Sequence, residues 1–313
     1  MKNRVGKSLP IISLIVFLFL FSCNSELYYL RRGIINYDQG RYDQAISDFT
    51  RVLEINPKLG NVYYNRGTVY WTKSEYDKAI SDFNKALEIN PGDSDIYVSR
   101  GGVYINKGQP DQAIPDFNKA LEMNPRHGGA FNSRGSTYYH KGLYDQTISD
   151  FNKALEISPR HTGAYINRGI TYGRKGQYDQ AIADYSKALE INPRIVETYY
   201  NRGRAFREMK QYDKAISDLD KALEIDPKEA GAYYQRGTAY SEKGQYDLAI
   251  SGFKKAIQIS PNFANVYYNR GRSYYFKKEY DKSWGDIKKA QELGYQVPPE
   301  FLDELRKASG RQN

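Results

Sequence analysis

A chain of 313 residues with 40% hydrophobic residues and a mean hydropathy of −0.74 is poor in aliphatic core material, yet 30 tyrosines and 14% aromatic content argue against disorder and for a core built from tyrosine. The formal charge of +9 falls to +6 once Lys2, Arg4 and Lys7 leave with a leader. Acids and bases are interspersed with no concentrated basic arm, which argues against nucleic acid as a partner.

Lys2, Arg4 and Lys7 precede an apolar run over residues 11–21 that only Ser13 interrupts, the order of a secretory signal peptide. From Leu9 to Phe21 is 13 residues, whereas a helix needs about 20 to span a bilayer. The run ends in Leu20, Phe21, Ser22 and Cys23, which resembles the lipobox of bacterial lipoproteins, although Phe21 is larger than the usual residue there. Residues 1–22 are therefore expected to be a lipoprotein signal peptide, with Cys23 the lipidation site and 23–25 a short tether. The resemblance implies several acyl chains such as palmitate on Cys23, and at about 0.8 kcal/mol per buried methylene these hold the chain on a membrane. Cys23 is the one cysteine, so no intramolecular disulfide forms and stability must come from packing.

Beyond the leader, Pro57, Pro91, Pro125, Pro159, Pro193, Pro227 and Pro261 recur every 34 residues without insertion or deletion. A frame starting at Glu26 gives eight repeats over 26–297, with Arg then Gly at the same two positions of each, from Arg32 and Gly33 to Arg270 and Gly271. In the second repeat Val62, Tyr63, Arg66, Gly67 and Tyr70 follow three- and four-residue steps, one face of a helix. Tyr76, Ala79, Ile80, Phe83, Ala86 and Leu87 form a second face after a short link. In five repeats that link carries glycine (Gly40, Gly108, Gly142, Gly176, Gly244), suited to a left-handed helix terminus. Asp77 and its equivalents favour the start of the second helix, and Asn-Pro ends it. Each repeat is thus a helical hairpin.

The 34-residue length, the aromatic at Tyr63, and Gly67, Tyr70, Ala79, Phe83, Ala86 and Pro91 resemble the tetratricopeptide repeat family. The resemblance implies an all-α fold: a right-handed α-solenoid of eight helix-turn-helix repeats with a concave face lined by the first helices. The ends depart from the pattern, with Asn36 where tyrosine is usual in repeat one, and Ser283, Trp284, Gly285, Ile287 and Tyr295 in repeat eight. Residues 298–313 read as a C-terminal capping helix and tail, with Phe301, Leu302 and Leu305 covering the last apolar edge. Pro115 falls inside a second helix, where it is expected to kink or weaken it.

No repeat carries a nucleophile and base pair, a phosphate-cradling glycine loop or metal-ligand spacing, so no enzyme activity, cofactor or metal is expected. His127 and His161 occupy one position of successive repeats and, with His140, read as exposed loop residues. Asp follows the repeated Arg by sixteen residues in seven repeats, with Gly252 the exception. That spacing reads as hairpin-bracing ion pairs, worth about 0–1 kcal/mol each if exposed.

Recognition is expected on the first helices. Asn65, Asn167, Asn201 and Asn269, with Gln235, resemble the asparagine ladder of peptide-binding solenoids, since an amide offers a donor and an acceptor to an extended backbone. Tyr64, Tyr200, Tyr234 and Tyr268 sit one position earlier and supply rigid contact area with a polar tip. Arg174, Arg204, Arg207 and Arg272 add positive charge, which places the preferred groove in repeats five to eight. The lysines by which chaperone-docking members grip a terminal carboxylate are missing. The expected function is a scaffold or adaptor of the bacterial envelope, membrane-anchored and facing periplasm or exterior, that binds a protein or peptide partner. A self-associating structural protein and a cell-wall carbohydrate binder are the alternatives.

Overall fold

The computed structural model describes residues 11–311, with side chains from Ser25 onward. The described residues form seventeen helices and no strand. Eight hairpins follow one another: α1 (Ile11–Asp38) with α2 (Tyr42–Ile55), α3 (Gly60–Thr72) with α4 (Tyr76–Ile89), α5 (Ser94–Asn106) with α6 (Pro110–Met123), and α7 (Gly128–His140) with α8 (Tyr144–Ile157). Then come α9 (Thr162–Arg174) with α10 (Tyr178–Ile191), α11 (Val196–Glu208) with α12 (Tyr212–Ile225), α13 (Ala230–Glu242) with α14 (Tyr246–Ile259), and α15 (Ala264–Phe276) with α16 (Tyr280–Glu292). A single helix, α17 (Pro299–Ser309), closes the chain. Two compact units result, one ending at Ile157 and one beginning at Ser158. The first stacks repeats one to four, and the second stacks repeats five to eight with α17.

The side chain of Cys23, and those of the leader before it, lie outside the described residues. The backbone of α1 runs from Ile11 without a break, so Asn24 and Ser25, read as a tether, fall inside a helix.

Each hairpin closes around small residues. A Cβ on Gly67 would stand 3.0 Å from the Phe83 ring and 3.2 Å from the Asp82 Cβ, so the two helices approach at a point that admits only glycine. Ala79, Phe83 and Ala86 are fully buried on the facing helix, and Val62 and Val69 are buried as well.

The turn inside each hairpin is left-handed in all eight repeats, not only in the five that carry glycine. Gly40, Gly108, Gly142, Gly176 and Gly244 have φ of 72–76°, and Ser74, Lys210 and Lys278 adopt 60°, 58° and 61°. In repeat two the Glu75 N–H donates to the Tyr70 carbonyl and the Ser74 N–H to that of Trp71, both at 2.8 Å, which is the bond pair of a Schellman ending. Three repeats therefore accept the strain of a side chain at positive φ to keep the hairpin angle.

Pro115 does not interrupt its helix, because α6 keeps the 14-residue length of α4. The proline sits early in the helix and on its exposed side, so only the first-turn carbonyl of Asp111 loses a donor, and water can reach it.

Both ends are built differently from the interior. Asn36 is 4% exposed; its Nδ2 donates to Asp48 at 2.8 Å while Arg41 Nε donates to its Oδ1 at 2.8 Å, so the departure from tyrosine makes a buried polar junction. At the other end α17 buries Phe301 and Leu305 against Tyr268, Ile287 and Ala290. Trp284 Nε1 donates to Ser309 at 3.0 Å, and Arg311 pairs with Asp281 at 2.7 Å. That last pair spans 30 residues, as Lys107 to Asp77 and Lys243 to Asp213 do. The capping helix is a ninth first helix, held in the register of the repeats.

Candidate functional site

The repeated arginine binds the scaffold together. Arg66, Arg100, Arg134, Arg168, Arg202 and Arg270 each donate to both oxygens of the aspartate sixteen residues on, at 2.6–2.8 Å. These aspartate side chains are 6–9% exposed and the arginines 17–20%. The pairs are therefore not the exposed bridges of small value that their spacing alone allowed; a forked, nearly buried pair costs about 3–5 kcal/mol when one partner is removed. A third nitrogen reaches back one hairpin, from Arg66 to Thr50 at 3.0 Å, Arg100 to Asn84 at 2.6 Å and Arg202 to Ser186 at 2.9 Å. One residue thus ties its own hairpin to the previous one. In repeat seven Gly252 supplies no carboxylate, and Arg236 pairs with Asp220 of the previous hairpin instead. Its Nε is left buried without a partner.

With that arginine column committed, the residues read as a binding face divide into two groups. Asn65, Asn167 and Asn201 are partly buried and make no side-chain hydrogen bond among the described residues, Arg204 is exposed, and Arg272 is exposed with its guanidinium 5.9 Å from the Tyr268 and Phe276 ring centroids. Arg174 is also exposed but, like the remaining residues, it is engaged within the protein. Gln235 is 8% exposed, and its Nε2 donates to the Tyr200 hydroxyl at 3.4 Å. Asn269 Nδ2 donates to the Tyr234 hydroxyl at 2.9 Å, and the Tyr64 hydroxyl meets Ser99 Oγ at 3.2 Å. Arg207 is held by Glu208 and by Glu242, the latter at 2.8 Å.

Tyr268 differs most from the sequence reading. It is 9% exposed, stacked on Tyr295 at 4.6 Å and edged by Phe301 at 5.8 Å, because α17 closes over it. Burial pushes the Tyr234 and Tyr268 phenols above their ordinary value near 10, against the opposing charges of Arg207 and Arg272 respectively. The internal amide–tyrosine pairs were legible in principle. Tyrosine in one repeat and an amide 35 residues later recur at Tyr200–Gln235 and Tyr234–Asn269.

Two of the open group, Asn201 and Arg204, line one hollow between α9, α10 and α11. It has a volume of about 220 Å³, and Ile170, Ala205, Tyr178, Tyr185, Asn201 and Arg204 line it together with Glu197. Gly173 opens it: a Cβ there would meet only the Tyr185 hydroxyl, at 4.0 Å.

The histidines have a local structural use that composition did not reveal. His127 Nδ1 accepts from Ala130 N–H at 3.2 Å and His161 Nδ1 from Ala164 N–H at 3.0 Å, capping α7 and α9. With Nδ1 accepting, the ring proton of His127 is on Nε2, which donates to Asp95 at 2.9 Å. Among the described residues no three His, Cys, Asp or Glu side chains form a metal-binding group, and no helix is long and apolar enough to cross a membrane.

The family model described as "Tetratricopeptide repeat" matches residues 27–59, 60–93, 94–127, 163–195 and 196–229, and sister models of the same repeat match 129–161, 219–251 and 237–277. The chain belongs to the tetratricopeptide repeat family. This tetratricopeptide repeat protein matches no curated protein. Among solved structures it is similar to YrrB, described as a tetratricopeptide repeat protein with an unusual peptide-binding site, at 26% identity and a TM-score of 0.54 over 59% of this chain and 95% of that one. A tetratricopeptide repeat protein from Parabacteroides merdae aligns over 80% of this chain and 99% of its own, at 22% identity and a TM-score of 0.58. The C-terminal part of a repeat protein from Cytophaga hutchinsonii aligns over 76% and 97%, at 20% identity and 0.64. These last two share the fold. Tetratricopeptide repeats are in general non-enzymatic scaffolds suited to protein–protein interaction.

Proposed function

We propose that this tetratricopeptide repeat protein is a scaffold of the bacterial envelope that binds an extended segment of another protein on the first helices of its second unit. The observation that carries the reading is the contrast within one helical face. Asn201 and Arg204 line an open hollow and Asn167, like Asn201, makes no side-chain hydrogen bond among the described residues, while Gln235, Asn269 and Arg207 of the same face are spent on the protein itself. An amide that bonds nothing internally can meet a peptide backbone without first breaking a bond. The peptide-binding site ascribed to YrrB supports the same use of the fold.

The test is crosslinking capture from the native envelope with Asn167 and Asn201 both changed to alanine. Because neither holds another side chain among the described residues, helicity and melting temperature should stay within the range of the parent while partners are lost. Retention of every partner at parental yield would reject the groove. Asn269→Ala is a poor probe, since it also removes the bond to Tyr234.

Export and anchoring at Cys23 form the other half of the proposal, carried by the order of cations, apolar run and cysteine in residues 1–23. An acylated Cys23 would lead directly into α1, which leaves little slack between membrane and first repeat. Cys23→Ser should release the protein from the membrane fraction, and continued co-sedimentation would remove the anchor from the account. Self-association is favoured by one observation, the exposed stripe of Leu27, Tyr28, Ile34 and Ile35 on α1. Light scattering that rises with concentration would identify it.

A further inference from the structure

Seven of the eight repeats carry a side chain at the position that Gly173 occupies: Tyr37, Trp71, Ile105, Tyr139, Arg207, Ser241 and Tyr275. Where that residue is tyrosine, its ring meets the tyrosine that opens the second helix. The pairs Tyr37–Tyr42, Tyr139–Tyr144 and Tyr275–Tyr280 repeat with centroids 5.9, 5.9 and 6.0 Å apart and interplanar angles of 50°, 45° and 53°. In repeat seven, where the residue is Ser241, Phe276 of the next repeat stacks on Tyr246 instead, at 5.1 Å and 12°.

Repeats five and six have neither solution, but in repeat six the side chain of Arg207 fills the position. In repeat five Gly173 brings no ring and the position matching Phe276 is Glu208, so Tyr178 makes neither of these ring pairs and packs beside the cluster of Tyr185 and Ala205 instead. Nothing local demands the glycine. Its φ is not in the left-handed region, and a Cβ would be crowded by nothing closer than the Tyr185 hydroxyl at 4.0 Å. Glycine inside a helix costs about 1 kcal/mol relative to alanine, so its effect here is the space it leaves. The lining departs as well. Tyr185 stands where five other repeats have phenylalanine, and its hydroxyl lies 4.0 Å from where a Cβ on Gly173 would be. Arg204 lines the hollow with Glu197 and, among the described residues, forms no ion pair.

We propose that the hollow takes the aromatic side chain of a tyrosine or phenylalanine from an extended partner segment, stacked on Tyr178, with a neighbouring carboxylate of that segment paired to Arg204. The partner's ring restores in trans the aromatic pair that Tyr37, Tyr139 and Tyr275 make in their own repeats. An offset or tilted pair of this kind adds affinity beyond the area it buries, and the unbalanced guanidinium selects the acidic flank. The inference rests on the groove reading above and names what one part of that groove selects.

The probe is a fluorescently labelled Gly-Ser-Glu-Tyr-Glu-Ser-Gly peptide, compared by anisotropy with its Tyr→Ala and Glu→Gln versions on the purified full chain. The tyrosine peptide should bind at least tenfold tighter than the alanine version. Gly173→Tyr fills the hollow with the chain's own ring, so it should melt no lower than the parent and lose the tenfold preference. Ile105→Tyr, the same position in repeat three, should keep it. Arg204→Gln should weaken the Glu peptide several-fold and leave the Gln peptide unchanged. Equal binding of the tyrosine and alanine peptides, no binding of either, or a preference that survives Gly173→Tyr overturns the inference. Partner capture that depends on Asn167 and Asn201 but is indifferent to Gly173→Tyr would leave the groove standing and remove only the aromatic subsite.

Discussion

Arg236 shows how much the repeated ion pair constrains a single residue. Seven equivalents, Arg32 included, fork onto a nearly buried aspartate, but Gly252 leaves the Arg236 Nε buried without an acceptor, and Asp220 takes the charge from the other side. An unpaired donor in that position costs about 1–3 kcal/mol. Gly252→Asp is expected to recover about 1–2 kcal/mol, part from the restored pair and part from removing glycine from a helix. The Cβ would stand 3.3 Å from Gly237 Cα, tight but at the position seven other repeats fill with aspartate. Chemical denaturation of the variant beside the parent checks this, and a lower midpoint would mean that Asp220 already satisfies the site. The spacing of Arg and Asp made the pairing readable from sequence. Its burial was not, because that depends on how closely the hairpin closes over the carboxylate.

Among the elements, α17 has the clearest energetic role. It covers Tyr268, Ile287 and Ala290, which would otherwise face water at the end of the stack, and Leu305 is fully buried beneath it. Leu305→Ala should cost about 2–5 kcal/mol, the range for removing a buried leucine side chain. Trp284, bonded through Nε1 to Ser309, reports on the same helix. Its fluorescence should shift toward that of exposed indole at lower denaturant in the variant than in the parent. A loss below about 1 kcal/mol would show that the helix only rests on the stack. Phe301, Leu302 and Leu305 announced a cap in the sequence. Its continuation of the 34-residue register through Arg311 and Asp281 was visible only once both side chains were placed.

For the whole molecule the tyrosines that supply the core also set its alkaline limit. Tyr234 and Tyr268 have phenols raised above 10 by burial, so between the unfolded value and the folded one the native state keeps protons that the unfolded chain has lost. Stability is therefore fully present below about pH 10 and falls as pH rises through that window. Phenolate absorbance should show a late-titrating fraction in the native protein that is absent in denaturant. Loss of that fraction in Tyr234→Phe and Tyr268→Phe would assign it, and an unchanged late fraction in both would refute the assignment. With Cys23 the one cysteine, reductant should not move the melting temperature.

The repeat length, the two helical periods, the left-handed glycines and the arginine–aspartate spacing are short-range facts, and a chain that states them eight times determines its own hairpins. The groove residues were legible as a column but not as a site. Whether Asn201 and Asn269 are open or used, and whether Tyr268 faces a partner or the underside of α17, depends on side chains 27–35 residues away that meet only when hairpins stack. The hollow at Gly173 was missed for the same reason. A missing side chain marks a site only when the walls around it are known, and those walls come from three helices that packing alone brings together.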